Sequence, residues 1–186
     1  MSPPTPQATW LVTAILIVAA AIDWRWLKVP NWLTFPFVLG GLGYALMDDG
    51  PEGLLLALAG AGAGLALLLP LWLIGEMGAG DVKLLAGVGA WVGPSLVLEV
   101  FVHIVIVGVA IAIAIVAWQR TPFKHLANLL ETLEDLRDLC RGTTDLPKVA
   151  ANAAARRPNS IVLPFGLSIA VGSIIFFASM GFFEGH

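Results

Sequence analysis

The chain has 186 residues, 58% of them hydrophobic, a mean hydropathy of +0.87 and a formal net charge of −3. A soluble domain is typically about 45–50% apolar, and here the excess falls in long runs, which excludes a soluble globular enzyme and points to a polytopic membrane protein. Cys140 is the single cysteine, which excludes an internal disulfide and a cysteine-based zinc site; nothing in the charge suggests a nucleic-acid partner.

A spanning helix needs roughly 20 mostly apolar residues. Six stretches approach that: 9–27, 32–47, 54–74, 81–98, 100–118 and 160–181. They predict an all-α fold of six transmembrane helices, read as one membrane-embedded domain over 1–186. Residues 1–9 carry no Lys or Arg, so a cleaved signal peptide is not expected and 9–27 is read as a retained span. No internal repeat is evident. Gly and Ala within 57–66 and 86–90 are read as packing residues that let helix backbones approach.

Basic residues stay in cytoplasmic loops. With the N-terminus outside, every Lys and Arg falls on the inner side: Arg25, Lys28, Lys83, Arg120, Lys124, Arg137, Arg141, Lys148, Arg156 and Arg157. Asp48, Asp49, Glu52 and Glu184 then fall outside. The expected topology is N-out, C-out in the cytoplasmic membrane. The polar stretch 121–159 carries Leu126, Leu129, Leu130, Leu133, Leu136 and Leu139 at helical spacing, with Glu131, Glu134, Asp135, Arg137 and Asp138 largely opposite. It predicts an amphipathic helix on the inner side, followed by an Ala-rich loop over 143–158.

This topology places two acids together. Helix 1 runs inward and ends near Asp23; helices 2 and 3 go out and back; helix 4 opens at Asp81. Each acid alone has a plain reading, Asp23 as an interfacial residue among Trp24, Arg25 and Trp26, Asp81 as a helix N-cap. Asn31, after Pro30, is expected to cap the second helix. As a pair the acids say more, because ionisable groups at membrane depth are costly and mark functional sites. Two carboxyls a few ångströms apart share one proton, so one can act as general base on a water while the other polarises a peptide carbonyl. Such a dyad hydrolyses a peptide bond with no metal and no cofactor.

Asp23 with Arg25 and Pro30-Asn31, then Gly78-Ala79-Gly80-Asp81-Val82-Lys83, resemble the two catalytic motifs of the type IV prepilin peptidases, membrane aspartyl proteases of the Gly-x-Gly-Asp class. Leu163-Pro164-Phe165-Gly166 resembles a third motif of that family; the following Leu167-Ser168 departs from it, since relatives often have another proline there. The resemblance implies cleavage of the basic leader of prepilins or pseudopilins of type IV pilus and related secretion systems, at the cytoplasmic face of the inner membrane. It maps Asp23 and Asp81 onto the catalytic pair. The size is most similar to the short Tad/Flp peptidases, so methylation by the cysteine-bearing domain of larger relatives is not expected.

Around the dyad, Gly78 and Gly80 are expected to leave room for a substrate strand, Pro164 and Gly166 to shape the entrance of the last helix, and Glu76 to attract a basic leader. Lys83 is expected either to stay by Asp81 or to snorkel to the surface. Glu99 and His103, four apart, are expected to pair on one helix face. The expected partners are the prepilin substrate and the lipid bilayer, with a homo-oligomer left open. Three other readings fit some of these residues: a protease cutting within transmembrane helices, a small transporter or channel subunit using the two aspartates as ion sites, and an assembly factor that binds pilins uncut.

Overall fold

The computed structural model describes residues 4–26, 28–73, 77–119 and 165–184, with scattered positions between 134 and 152. Four principal helices carry them: α1 (Pro6–Trp26), α2 (Asn31–Leu73), α3 (Ala79–Gln119) and α4 (Phe165–Ser179). No strand occurs among the described residues. Three helical stretches are long and apolar enough to cross a membrane: α1, α2 and residues Ala79–Ile115 of α3; α4 is a shorter apolar helix. The segment 121–159, with its expected amphipathic helix, lies almost wholly outside the described residues.

α2 and α3 are too long to be single straight spans. At 1.5 Å per residue, 43 and 41 residues would each extend about 60 Å, twice the ~30 Å hydrocarbon core. Each breaks once, at Gly50 (φ 66°, ψ −152°) and at Gly93 (φ 81°, ψ 174°). Positive φ with an extended ψ is open to glycine and closed to other residues. A proline follows each break, Pro51 and Pro94, and suits the start of a new helical run because its missing N–H is not needed there. The first break separates the stretches expected at 32–47 and 54–74. The second corrects the expected boundary near residue 99: α3 breaks at Gly93. The charged Glu99 drew the expected boundary to itself, and hydropathy shows no break at Gly93, whereas the Gly-Pro dipeptide does. The half of α3 that carries Asp81 is therefore only about 20 Å long.

That short half packs directly on α2, backbone against backbone. A Cβ on either Gly60 or Gly89 would overlap the other's carbonyl oxygen, and one on Gly64 would stand 2.5 Å from the Leu85 carbonyl. Small residues at such crossings replace the hydrophobic drive that lipid does not supply. Beside this seam, Trp91 stacks on Tyr44 and Phe37 (centroids 5.3 and 6.3 Å) and donates its indole N–H to the Phe37 carbonyl at 3.0 Å. The second half of α3 packs on α4, where Gly172 accommodates the Ile104 backbone. α4 in turn packs on α1, with Phe183 beyond its end against Trp10 (centroids 4.8 Å).

Outward faces are apolar. Leu39, Leu55, Ile106, Ile113 and Trp118 are all exposed, far more apolar surface than a water-soluble monomer presents. His103 does not meet the Glu99 carboxylate as expected: its ring Nδ1–H donates to the Glu99 backbone carbonyl at 2.9 Å, and the ring stands edge-on to Phe176. A histidine one turn on reaches the carbonyl of its own helix more readily than an exposed side chain that points outward.

Candidate active site

Asp23 lies near the end of α1 and is 3% exposed. α4 opens beside it. The first four amides of a helix have no acceptor within the helix, and Gly166, second residue of α4, donates its free N–H to Asp23 Oδ2 at 2.8 Å. The positive end of a helix dipole thus faces a carboxyl. Glycine is required here by space: a Cβ at 166 would stand 2.9 Å from both Cβ and Oδ2 of Asp23. Arg25 turns away and lays its guanidinium over the Trp26 ring at 5.6 Å. An open groove lined by Ala20, Ala21, Trp24, Arg25 and Leu167 borders this end of α1.

Asp81 lies in the first turn of α3, two residues past its start, so it is not the N-cap expected for it. Its own N–H reaches the Gly78 carbonyl at 3.2 Å, which leaves Gly78 as the capping residue. The side chain is 8% exposed, and Oδ1 is buried with no hydrogen-bond partner among the described residues. Gly78 borders it, since a Cβ there would be 3.2 Å from Asp81 Oδ2. Gly80 also has a close neighbour. Its open side is filled by Val29, whose carbonyl oxygen would be 2.5 Å from an added Cβ. The α1–α2 connection therefore lies directly on the first turn of α3, next to Asp81.

Lys83 does not pair with Asp81; its amine reaches an exposed position. Its Nζ donates to Asn31 Oδ1 at 2.9 Å and sits 5.0 Å over the Phe35 ring. Asn31 was expected to cap α2, but the carbonyl that accepts the first helical N–H, from Thr34 at 3.3 Å, belongs to Pro30. Proline at the cap frees the Asn31 amide for this cross-link between the starts of α2 and α3. Val29 is the contributor to the site that the sequence did not mark; Asn31 was marked as a cap and within a motif, but not as the partner of Lys83. Glu76 and Pro164 lie outside the described residues.

The starts of α2, α3 and α4 and the end of α1 thus converge. Asp23 lies within electrostatic range of Asp81, and they are the two buried carboxyls among the described residues. Two carboxyls in one dry site suit paired acid–base chemistry on a water.

Residues 10–116, a range that contains both aspartates, match the model of the type IV leader peptidase family. A prepilin leader peptidase/N-methyltransferase of Dickeya chrysanthemi is 40% identical over an alignment of 102 residues, covering 47% of this chain and 35% of the relative. One from Aeromonas hydrophila is 40% identical over 93 residues, covering 46% and 32%. The chain thus spans about a third of the length of these relatives. No solved structure matches it. A family match across more than half of the sequence, holding both buried acids, means that the chain belongs to the type IV leader peptidase family.

Proposed function

We propose that this chain is a membrane aspartyl endopeptidase that removes the leader peptide of type IV prepilins or pseudopilins, of the Tad/Flp kind, at the cytoplasmic face of the inner membrane. The observation that carries this reading is the convergence of Asp23 and Asp81, remote in sequence, at one buried end of the helix bundle in a member of a leader peptidase family. In this reading six apolar segments cross the bilayer, N-out and C-out, with the breaks at Gly50 and Gly93 on the outer side. The dyad then faces inward, where a prepilin presents its basic leader while its hydrophobic helix stays in lipid. The segment 121–159 lies on that same side.

The scissile peptide must be extended to expose its carbonyl. One carboxylate removes a proton from water as the water oxygen bonds to the carbonyl carbon. The other, protonated, donates to the carbonyl oxygen. The resulting gem-diol adduct collapses with cleavage of the C–N bond: the first carboxyl gives its proton to the leaving amine, and the second carboxylate takes one from an adduct hydroxyl as the carbonyl re-forms, which restores the dyad. Gly78 and Gly166 serve by keeping Cβ atoms away from the two carboxyls; Glu76 supplies negative charge for the leader; Lys83 and Pro164 shape the helix starts.

Cleavage of a prepilin peptide by the purified protein in detergent tests this. Wild type is expected to cut at the leader junction and to keep cutting under strong chelation. Asp23→Asn and Asp81→Asn are each expected to lose cleavage while still inserting into membranes. Cleavage that vanishes with a chelator and returns with a divalent ion, or full processing by either Asn variant, would contradict the proposal.

A further inference from the structure

The two carboxyls of the pair have unequal surroundings. Asp23 Oδ2 accepts the Gly166 N–H at 2.8 Å, and the next amide of α4, that of Leu167, also acts on this carboxyl. Backbone amides at a helix start stabilise an anion through both hydrogen bond and dipole. Asp81 is more poorly served: the Gly78 amide alone acts on its carboxyl. Its Oδ1 is buried and lacks any hydrogen-bond donor among the described residues. Nearby cations do not make up the difference: Lys83 is engaged with Asn31 and Phe35, and Arg25 with Trp26. A bare carboxylate oxygen in such a place is expensive, and a neutral carboxyl group far less so.

We infer that the pair is asymmetric at rest, with Asp23 the charged member fixed by the first turn of α4 and Asp81 the member that carries the proton. If the reading of the site as a peptidase holds, roles follow directly. Asp23 is the base that takes the proton from water, and Asp81 is the acid that donates to the substrate carbonyl. Gly166 is then a positioning residue: its amide fixes the orientation and charge of Asp23, and its missing side chain lets that amide approach.

The assignment is tested without any substrate. Infrared difference spectra of the folded protein at neutral pH report the carbonyl stretch of an undissociated carboxyl group. Wild type should show such a band. Asp23→Asn should retain it, because Asp81 keeps its donor-poor site. Asp81→Asn should lose it. The reverse pattern, a band lost in Asp23→Asn and kept in Asp81→Asn, overturns the assignment, as does a wild type with no such band or a band lost in both variants. Asn occupies nearly the volume of Asp, and unchanged helical content by circular dichroism confirms that each spectrum comes from folded protein. A protein that shows the expected bands but cuts no leader peptide would refute the peptidase reading and leave the asymmetry standing.

Discussion

The two halves of the site are built differently. Asp23 rides on α1, which packs on α4, and α4 answers it with a backbone amide. Asp81 rides on the short first half of α3, which is clamped to α2 by glycines and by the Lys83–Asn31 bond; nothing described donates to its Oδ1. The contrast teaches that burial alone does not define a carboxyl's role. Asp23 faces the free amides of the α4 start, whereas Asp81 has the Gly78 amide alone and an Oδ1 with no donor among the described residues, and the difference comes from which helix start lies alongside.

The largest test of that contrast is removal of either acid. Asp23→Asn and Asp81→Asn should each lower leader cleavage by about 10³-fold or more, measured on a prepilin peptide in detergent, since each removes a proton-transfer partner. A loss confined to one of them would break the pairing.

Next comes space around each acid. Gly166→Ala drives a Cβ to 2.9 Å from Asp23 Cβ and Oδ2, whereas Gly78→Ala brings one to 3.2 Å from Asp81 Oδ2. The former should cost about 10²-fold in kcat and the latter about 10-fold, because misplacing a reacting group by a fraction of an ångström to an ångström has effects of this order. Equal losses would mean that the α4 contact is no more demanding than the Gly78 contact.

These predictions rest on features of very unequal legibility in the sequence. The apolar runs announced a membrane fold at once, and counting them put Asp23 and Asp81 at one end of the bundle. Proximity was legible because an even number of segments separates the two acids. The donor to Asp23 was legible only as a motif around Gly166, since an amide 143 residues away leaves no local pattern. The break at Gly93 was hidden because the residues around it are apolar and Glu99 offered a charged boundary instead, although Gly93-Pro94 marked it. The contact of Val29 with Gly80 was not legible, because glycine signals room without saying which neighbour lies there. The Lys83–Asn31 bond joins residues 52 apart across the whole of α2, and no spacing rule reaches that far.

Smaller effects should leave chemistry alone. Gly60→Val on the α2–α3 seam should destabilise by about 1–3 kcal/mol through overpacking, read as a lower melting temperature in detergent, with cleavage by the surviving folded fraction unchanged. A variant that stays fully stable would mean the seam is looser than the Gly60–Gly89 contact requires. Smallest is Lys83→Met, which removes a hydrogen bond with an exposed partner and should cost under about 1 kcal/mol, with cleavage within about 3-fold of wild type. A loss as deep as that of Asp81→Asn would place Lys83 among the reacting groups.

The most direct measurement of whether the two acids share one site is chemical cross-linking in native membranes. With Cys140 replaced by serine, Asp23→Cys and Asp81→Cys are combined in one chain and treated with a short bis-maleimide, and linked peptides are read by mass spectrometry. Efficient linkage, comparable to a Trp10→Cys/Phe183→Cys control pair, is predicted. Linkage of the control pair with none between positions 23 and 81 would contradict the account.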